Sequence, residues 1–243
     1  MTAAEKATLA RFLDLASGLA RGGYLDGRPE YAFEDDAAPG TAAAGNVAPE
    51  TLEQLDAEVR GCTACRLSLE RKNAVPGEGV ARPAVMVIGE GPGADEDACG
   101  RPFVGKAGQL LDKMLGAIGL SRETNCFIAN VVKCRPPGNR DPLPDETAAC
   151  RHFLERQIRL LRPAFILCAG RVASQSLLDT QESIGRLRGK VSSVEIAGMR
   201  IPFLATYHPS ALLRGEELKR PAWEDLKLLR AAMTEAGFAP AET

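Results

Sequence analysis

Two five-residue runs, Val85–Gly89 and Phe165–Ala169, carry no charged side chain. Successive side chains of a strand point to opposite faces, so neither run has a face to turn to water. Strands of this kind sit inside a parallel sheet with helices over both faces. Cys126–Val132, Lys190–Ile196 and Ile201–Thr206 read as further strands. Between and after them, Leu110–Ile118, Asp145–Leu161, Arg171–Leu178 and Pro221–Ala236 read as helices, the second opened by Pro144 and Asp145. The alternation predicts an α/β fold built on a mostly parallel sheet.

Ahead of this body, residues 4–20 have helical periodicity, with Leu9, Phe12, Leu13 and Leu19 on one side. Pro29 to Pro49 is rich in Ala, Gly, Pro and acid and reads as a linker. A second helix is expected from about Pro49–Thr51 to Arg60. The expected division is an extension over 1–50, a main domain over 51–237 and a tail over 238–243. Charge divides a few residues further on. Residues 1–58 hold 11 acidic and 4 basic side chains, and the remaining residues hold 21 and 26. The net charge of −2 therefore hides +5 over residues 59–243, which permits phosphate contacts without requiring them. No apolar run is long enough to span a bilayer, and the first residues lack a secretory pattern. The cytoplasm is the expected compartment, with no membrane partner and a monomeric state.

In open α/β sheets ligands bind outside the carboxyl ends of the strands, so the residues after each strand mark the site. After the first strand comes Glu90-Gly91-Pro92-Gly93-Ala94-Asp95-Glu96-Asp97. Asn130 lies in the last residues of the second and Lys133 follows it; Gly170-Arg171 follow the third, and Tyr207-His208-Pro209-Ser210 the last. Acids, an amide, a histidine and glycine-rich turns gather on one rim. The glycines do not match a dinucleotide fingerprint, because the third is misplaced and Pro92 removes an amide that a pyrophosphate would use.

Of seven cysteines, Cys62 and Cys65 form a CxxC, and Cys134 and Cys150 lie 16 positions apart. A reducing compartment disfavours disulfides. Four such thiols can converge on one metal centre, and spacing alone leaves zinc and iron–sulfur both open. The redox alternative places a CxxC between strand and helix, whereas this one follows a helix. Cys126 and Cys168 lie in apolar strands and read as buried small hydrophobes; Cys99 has no partner spacing.

The stretches Gly89–Asp97, Gly100-Arg-Pro-Phe-Val-Gly105, Asn130-Val-Val-Lys-Cys-Arg-Pro-Pro-Gly-Asn-Arg140 and His208-Pro-Ser-Ala-Leu-Leu-Arg214 together resemble family 4 uracil-DNA glycosylase. The resemblance covers about residues 51–235. It implies a three-layer sandwich on a four-stranded, mainly parallel sheet. It also implies a [4Fe-4S] cluster on Cys62, Cys65, Cys134 and Cys150. By the same resemblance Phe103 stacks on a flipped uracil, Asn130 reads its edge and His208 faces O2. Glu90, Gly91 and Pro92 line the pocket near sugar and base. Lys133, Arg135 and Arg140 lie where phosphates pass, and Leu212 or Leu213 with Arg214 enters the minor groove. The family usually carries Ala where this chain has Gly91. A related class that traps uracil covalently has Gln there and a His-containing insert; Asn130 to Pro142 contains no His.

The implied partner is uracil-containing DNA, and the implied reaction is hydrolysis of the N-glycosidic bond to leave an abasic site. Glu90, Asn130 and His208 are the expected catalytic set, with Asp95 and Glu96 as lesser candidates beside Glu90. The acidic extension is a docking segment for a protein partner or a brake on nonspecific DNA binding. Two other readings stay open at this point: a non-catalytic metal-cluster module that binds DNA, and a nucleotide-binding redox protein that uses the CxxC.

Overall fold

The computed structural model describes residues 50–238. The helix expected over 4–20, the linker over 29–49 and the tail beyond 238 lie outside the described residues.

A single sheet organises the body. Its six strands are β1 (Glu78–Gly79), β2 (Val85–Gly89), β3 (Cys126–Asn130), β4 (Phe165–Ala169), β5 (Val191–Ile196) and β6 (Met199–Thr206), in the order β1-β3-β2-β4-β6-β5. The inner four, β3, β2, β4 and β6, run parallel. Both edges are antiparallel: β1 against β3, and β5 against β6. The sheet is thus six-stranded, not four-stranded. The two-residue β1 has no apolar run to announce it. β5 is buried only at Val194 and Ile196, as suits an edge strand with one wet face.

Side-chain alternation sorts the core into two halves. Met86, Ile88, Phe127, Ala129, Ile166 and Cys168 face one side. They pack under α1 (Leu52–Gly61), α4 (Pro144–Leu161) and α5 (Arg171–Leu178). Val85, Val87, Cys126, Ile128 and Leu167 face the other side, under α3 (Lys106–Gly116) and α8 (Lys219–Glu235). The result is three layers, helix over sheet over helix. Shorter helices, α2 (Ala94–Cys99), α6 (Ile184–Leu187) and α7 (Pro209–Leu212), lie in the connections.

Helix ends follow their capping chemistry. Thr51 starts α1: its hydroxyl accepts from the Gln54 N–H, and the Gln54 side chain accepts from the Thr51 N–H. Pro144 opens α4, and Glu146 accepts the Leu143 N–H at 2.8 Å. α3 begins four residues before its apolar pattern, because its first turn packs through Gly108 instead of a large side chain. β3 stops at Asn130, short of the expected Val132. Val131 and Val132 are buried, and their N–H groups bond to the carbonyls of Gly89, the last residue of β2, and Glu90, the residue after it.

Candidate active site

Four parallel strands deliver their C-terminal residues to one rim. Glu90 follows β2, Asn130 ends β3, Arg171 follows β4 and His208 follows β6. With Phe103 they line a cavity of about 650 Å³. That is more than one pyrimidine needs, and Arg140, Arg171 and Arg214 also line it.

Asn130 is 1% exposed, and its side-chain oxygen has no hydrogen-bond partner. An acceptor left so costs about 1–3 kcal/mol until a donor arrives. Its backbone carbonyl accepts from the Lys133 ammonium at 2.9 Å. That ammonium also donates to Gln157 Oε1 at 2.6 Å, and Gln157 donates to the Pro76 carbonyl. Lys133 is therefore no phosphate ligand in this structure. It is fully buried, bent back against its own strand, and burial lowers its pKa to about 8.

Phe103 has φ +52°, a left-handed backbone that a bulky residue rarely adopts. Its ring centroid lies 5.6 Å from that of His208, with 34° between the planes. The close fit requires glycine at 89, because a Cβ there would lie 2.5 Å from the Phe103 ring.

His208 caps α7. Its Nδ1 accepts the Ser210 N–H at 3.2 Å and lies 2.8 Å from the Ser210 hydroxyl. An Nδ1 that accepts a backbone N–H carries no proton, so the neutral ring holds its proton on Nε2. Burial, with the Arg214 charge second, lowers the pKa to about 4, against a small opposing pull from Glu96. The ring is neutral at pH 7.

Glu90 is shifted the other way. Burial first and the Asp141 carboxylate second raise its pKa to about 7, and Arg171 partly offsets them. Arg171 and Asp141 are themselves ion-paired. Glu96 is committed to the backbone: it accepts from Gly93 N at 3.1 Å, Val104 N at 2.9 Å and Gly105 N at 3.0 Å. It ties the loop after β2 to the loop bearing Phe103. Asp95 lines the cavity near Gly105. Asp141 carried no motif in the sequence; only its position after the Asn130 segment marked it.

The outer rim divides the expected DNA contacts. Arg214 is exposed on the cavity edge. Arg140 also lines the cavity, but its guanidinium forms a fork on the buried Glu146 at 2.7 and 2.8 Å. Arg135 donates to the Asn139 side chain at 2.8 Å. Of the leucine pair, Leu212 is buried at 3% and Leu213 is 52% exposed, so the two are not interchangeable. Leu212 ends α7 and turns inward beside Met114 and Leu226, whereas Leu213, just past the helix, faces solvent.

Cys62, Cys65, Cys134 and Cys150 line one small hollow between α1 and α4. Donors already point at the sulfurs: Arg71 Nη1 to Cys134 at 3.0 Å, Lys133 N to Cys150 at 3.3 Å and Ala64 N to Cys62 at 3.5 Å. Such bonds suit metal-bound thiolates. Among the described residues no three His, Cys, Asp or Glu side chains close tightly enough to hold a single ion. Cys126 and Cys168 are fully buried on opposite sheet faces, and burial pushes the Cys126 thiol up to about 12. Cys99 is exposed.

Comparison with known proteins agrees with this geometry. Residues 76–227 match the model of the uracil DNA glycosylase superfamily. A type-4 uracil-DNA glycosylase of Saccharolobus solfataricus is 45% identical over 76% of this chain and 88% of its own length. Those of Archaeoglobus fulgidus and Pyrobaculum aerophilum are each 43% identical over 73% of this chain, and over 91% and 92% of their own. This chain therefore belongs to the uracil DNA glycosylase superfamily, among its type-4 members.

Proposed function

We propose that the protein is a DNA repair enzyme that extrudes uracil from DNA and hydrolyses its N-glycosidic bond. One observation carries this: a buried, unpartnered amide oxygen beside an aromatic ring and a neutral histidine. A base within a duplex is out of reach and must be flipped, at a cost of a few kcal/mol. Stacking on Phe103 returns about 1–3 kcal/mol of that. Uracil N3–H donates to Asn130 Oδ1, and the amide NH₂ donates to O4. Cytosine has an acceptor at N3 and a donor at N4, so it leaves both amide groups unpaired, a mismatch of several kcal/mol.

Cleavage leaves negative charge on the departing base and positive charge on the sugar. His208 Nε2–H donates to O2 as that charge grows. Glu90, ionised, stabilises the cationic sugar or orients the attacking water. Gly91 and Pro92 shape the wall beside the sugar. Arg214, Arg135 and Arg140 meet phosphates on the outer rim, and Leu213 fills the space that the base leaves.

The four cysteines fit a [4Fe-4S] cluster, which would supply a covalent tie between α1 and the segment that carries Asn130. No step of the reaction passes through it. Uracil-containing DNA is the partner, and the cytoplasm is the compartment. The test is incubation with a uracil-containing oligonucleotide, then alkali. Strand scission at the uracil supports the reading; binding without scission indicates a non-catalytic DNA module instead.

A further inference from the structure

Arg122 lies in the turn before β3, at the opposite end of that strand from Asn130. Its side chain is only 6% exposed. It donates from Nη1 to the Pro102 carbonyl at 2.9 Å and from Nη2 to the Phe103 carbonyl at 3.0 Å. Asp112 on α3 accepts from Nε and Nη2 at 3.1 and 2.7 Å. Behind it Glu78 lies 3.7 Å from Nη1 and is itself gripped by Arg101 at 2.9 and 2.7 Å. The short strand β1 exists at the place that puts Glu78 there.

One planar guanidinium thus spans two successive carbonyls and a carboxylate. A lysine ammonium is a single point and cannot span all three. The peptide it grips is the one whose residue has the left-handed backbone, Phe103. On the other side, a Cβ at position 108 would overlap the Phe103 carbonyl, so α3 presses directly on the same group. Clamp and helix leave the backbone one conformation, and that conformation turns the ring toward Gly89 and His208.

We infer that Arg122 is a positioning residue that fixes Phe103 as a rigid stacking face for the base; this rests on the reading of Phe103 as that face. Arg122 itself touches neither base nor sugar. Its loss should weaken what the ring binds and spare what the rim binds.

The test compares F103A, R122K and D112N with the unaltered protein. The readouts are inhibition of excision by free uracil, affinity for DNA with an abasic site, and Tm. F103A and R122K should each weaken uracil inhibition about tenfold. Abasic-DNA affinity should stay within about twofold. D112N, which keeps an acceptor oxygen but removes the charge of one partner at a half-exposed position, should fall between. If F103A weakens uracil inhibition and R122K does not, the Arg122 inference is overturned while the stacking reading stands. If F103A changes nothing, the stacking reading fails and the inference falls with it. If R122K lowers both affinities in parallel, Arg122 serves only general stability and the inference is again overturned. Should R122K not fold, D112N decides: uracil inhibition equal to that of the unaltered protein contradicts the inference.

Discussion

His208 Nδ1 accepts the backbone N–H of Ser210 at 3.2 Å, and this one bond decides which ring nitrogen holds the proton. In the proposed reaction Nε2–H donates to uracil O2 from a neutral ring. H208A should lower single-turnover excision by about 10²–10³. S210A keeps the backbone donor and should cost about tenfold or less. Circular dichroism of both variants should match the unaltered protein, while H208A, which also removes the cap of α7, should lower Tm slightly.

The pH dependence follows from Glu90, not from His208. With a pKa of about 4, the histidine stays neutral throughout the neutral range. Glu90 ionises near pH 7, so kcat/KM for excision should rise through that value. E90Q should be slower and should lose the rise. Stability runs the opposite way. The folded protein holds the Glu90 proton between the usual carboxylate range and about 7, where the unfolded chain has released it. This contribution is therefore present at low pH and is lost as pH rises through that window. Urea midpoints for E90Q against the unaltered protein at pH 5 and 8 check it.

N130A should separate activity from stability. The amide oxygen has no partner in the free protein, so its removal forfeits no hydrogen bond there. Tm should be equal or higher, while uracil excision falls by about 10² or more. A Tm drop as large as that of a core truncation would mean that the amide is structural.

The fold and much of the rim were legible because parallel strands leave strong traces. Apolar runs mark the inner strands, and the residues after them mark the cavity, so Glu90, Asn130 and His208 could be found without coordinates. Lys133 illustrates the limit. A lysine between a site residue and a cysteine looks like a phosphate contact, and only the packing reveals that it folds back onto Asn130 and Gln157. Leu212 and Leu213 are the same residue type at adjacent positions, and only the path of α7 separates inside from outside. β1 and Arg122 left no pattern, because a two-residue strand has no period and a buried arginine reads as surface charge.

Leu213 and Leu212 should respond differently. L213A should slow excision from double-stranded DNA more than from single strands, because filling a vacated stack matters only in a duplex. L212A should instead lower stability, by about 2–5 kcal/mol. Denaturant unfolding and paired duplex and single-strand assays distinguish them.

The cysteine set divides four against three. C62S, C134S or C150S should abolish broad visible absorption, lower bound iron and lower Tm. C168S and C99S should retain four irons per chain. Colourless protein that contains zinc would remove the cluster from the account.

The most direct test is a crystal structure with free uracil. The base should lie in the cavity of Glu90 and Asn130, with its N3 within hydrogen-bond distance of Asn130 Oδ1. O2 should face His208 Nε2, and the ring should lie flat on Phe103. Uracil bound elsewhere, or in this cavity with no contact to Asn130 and Phe103, would contradict it.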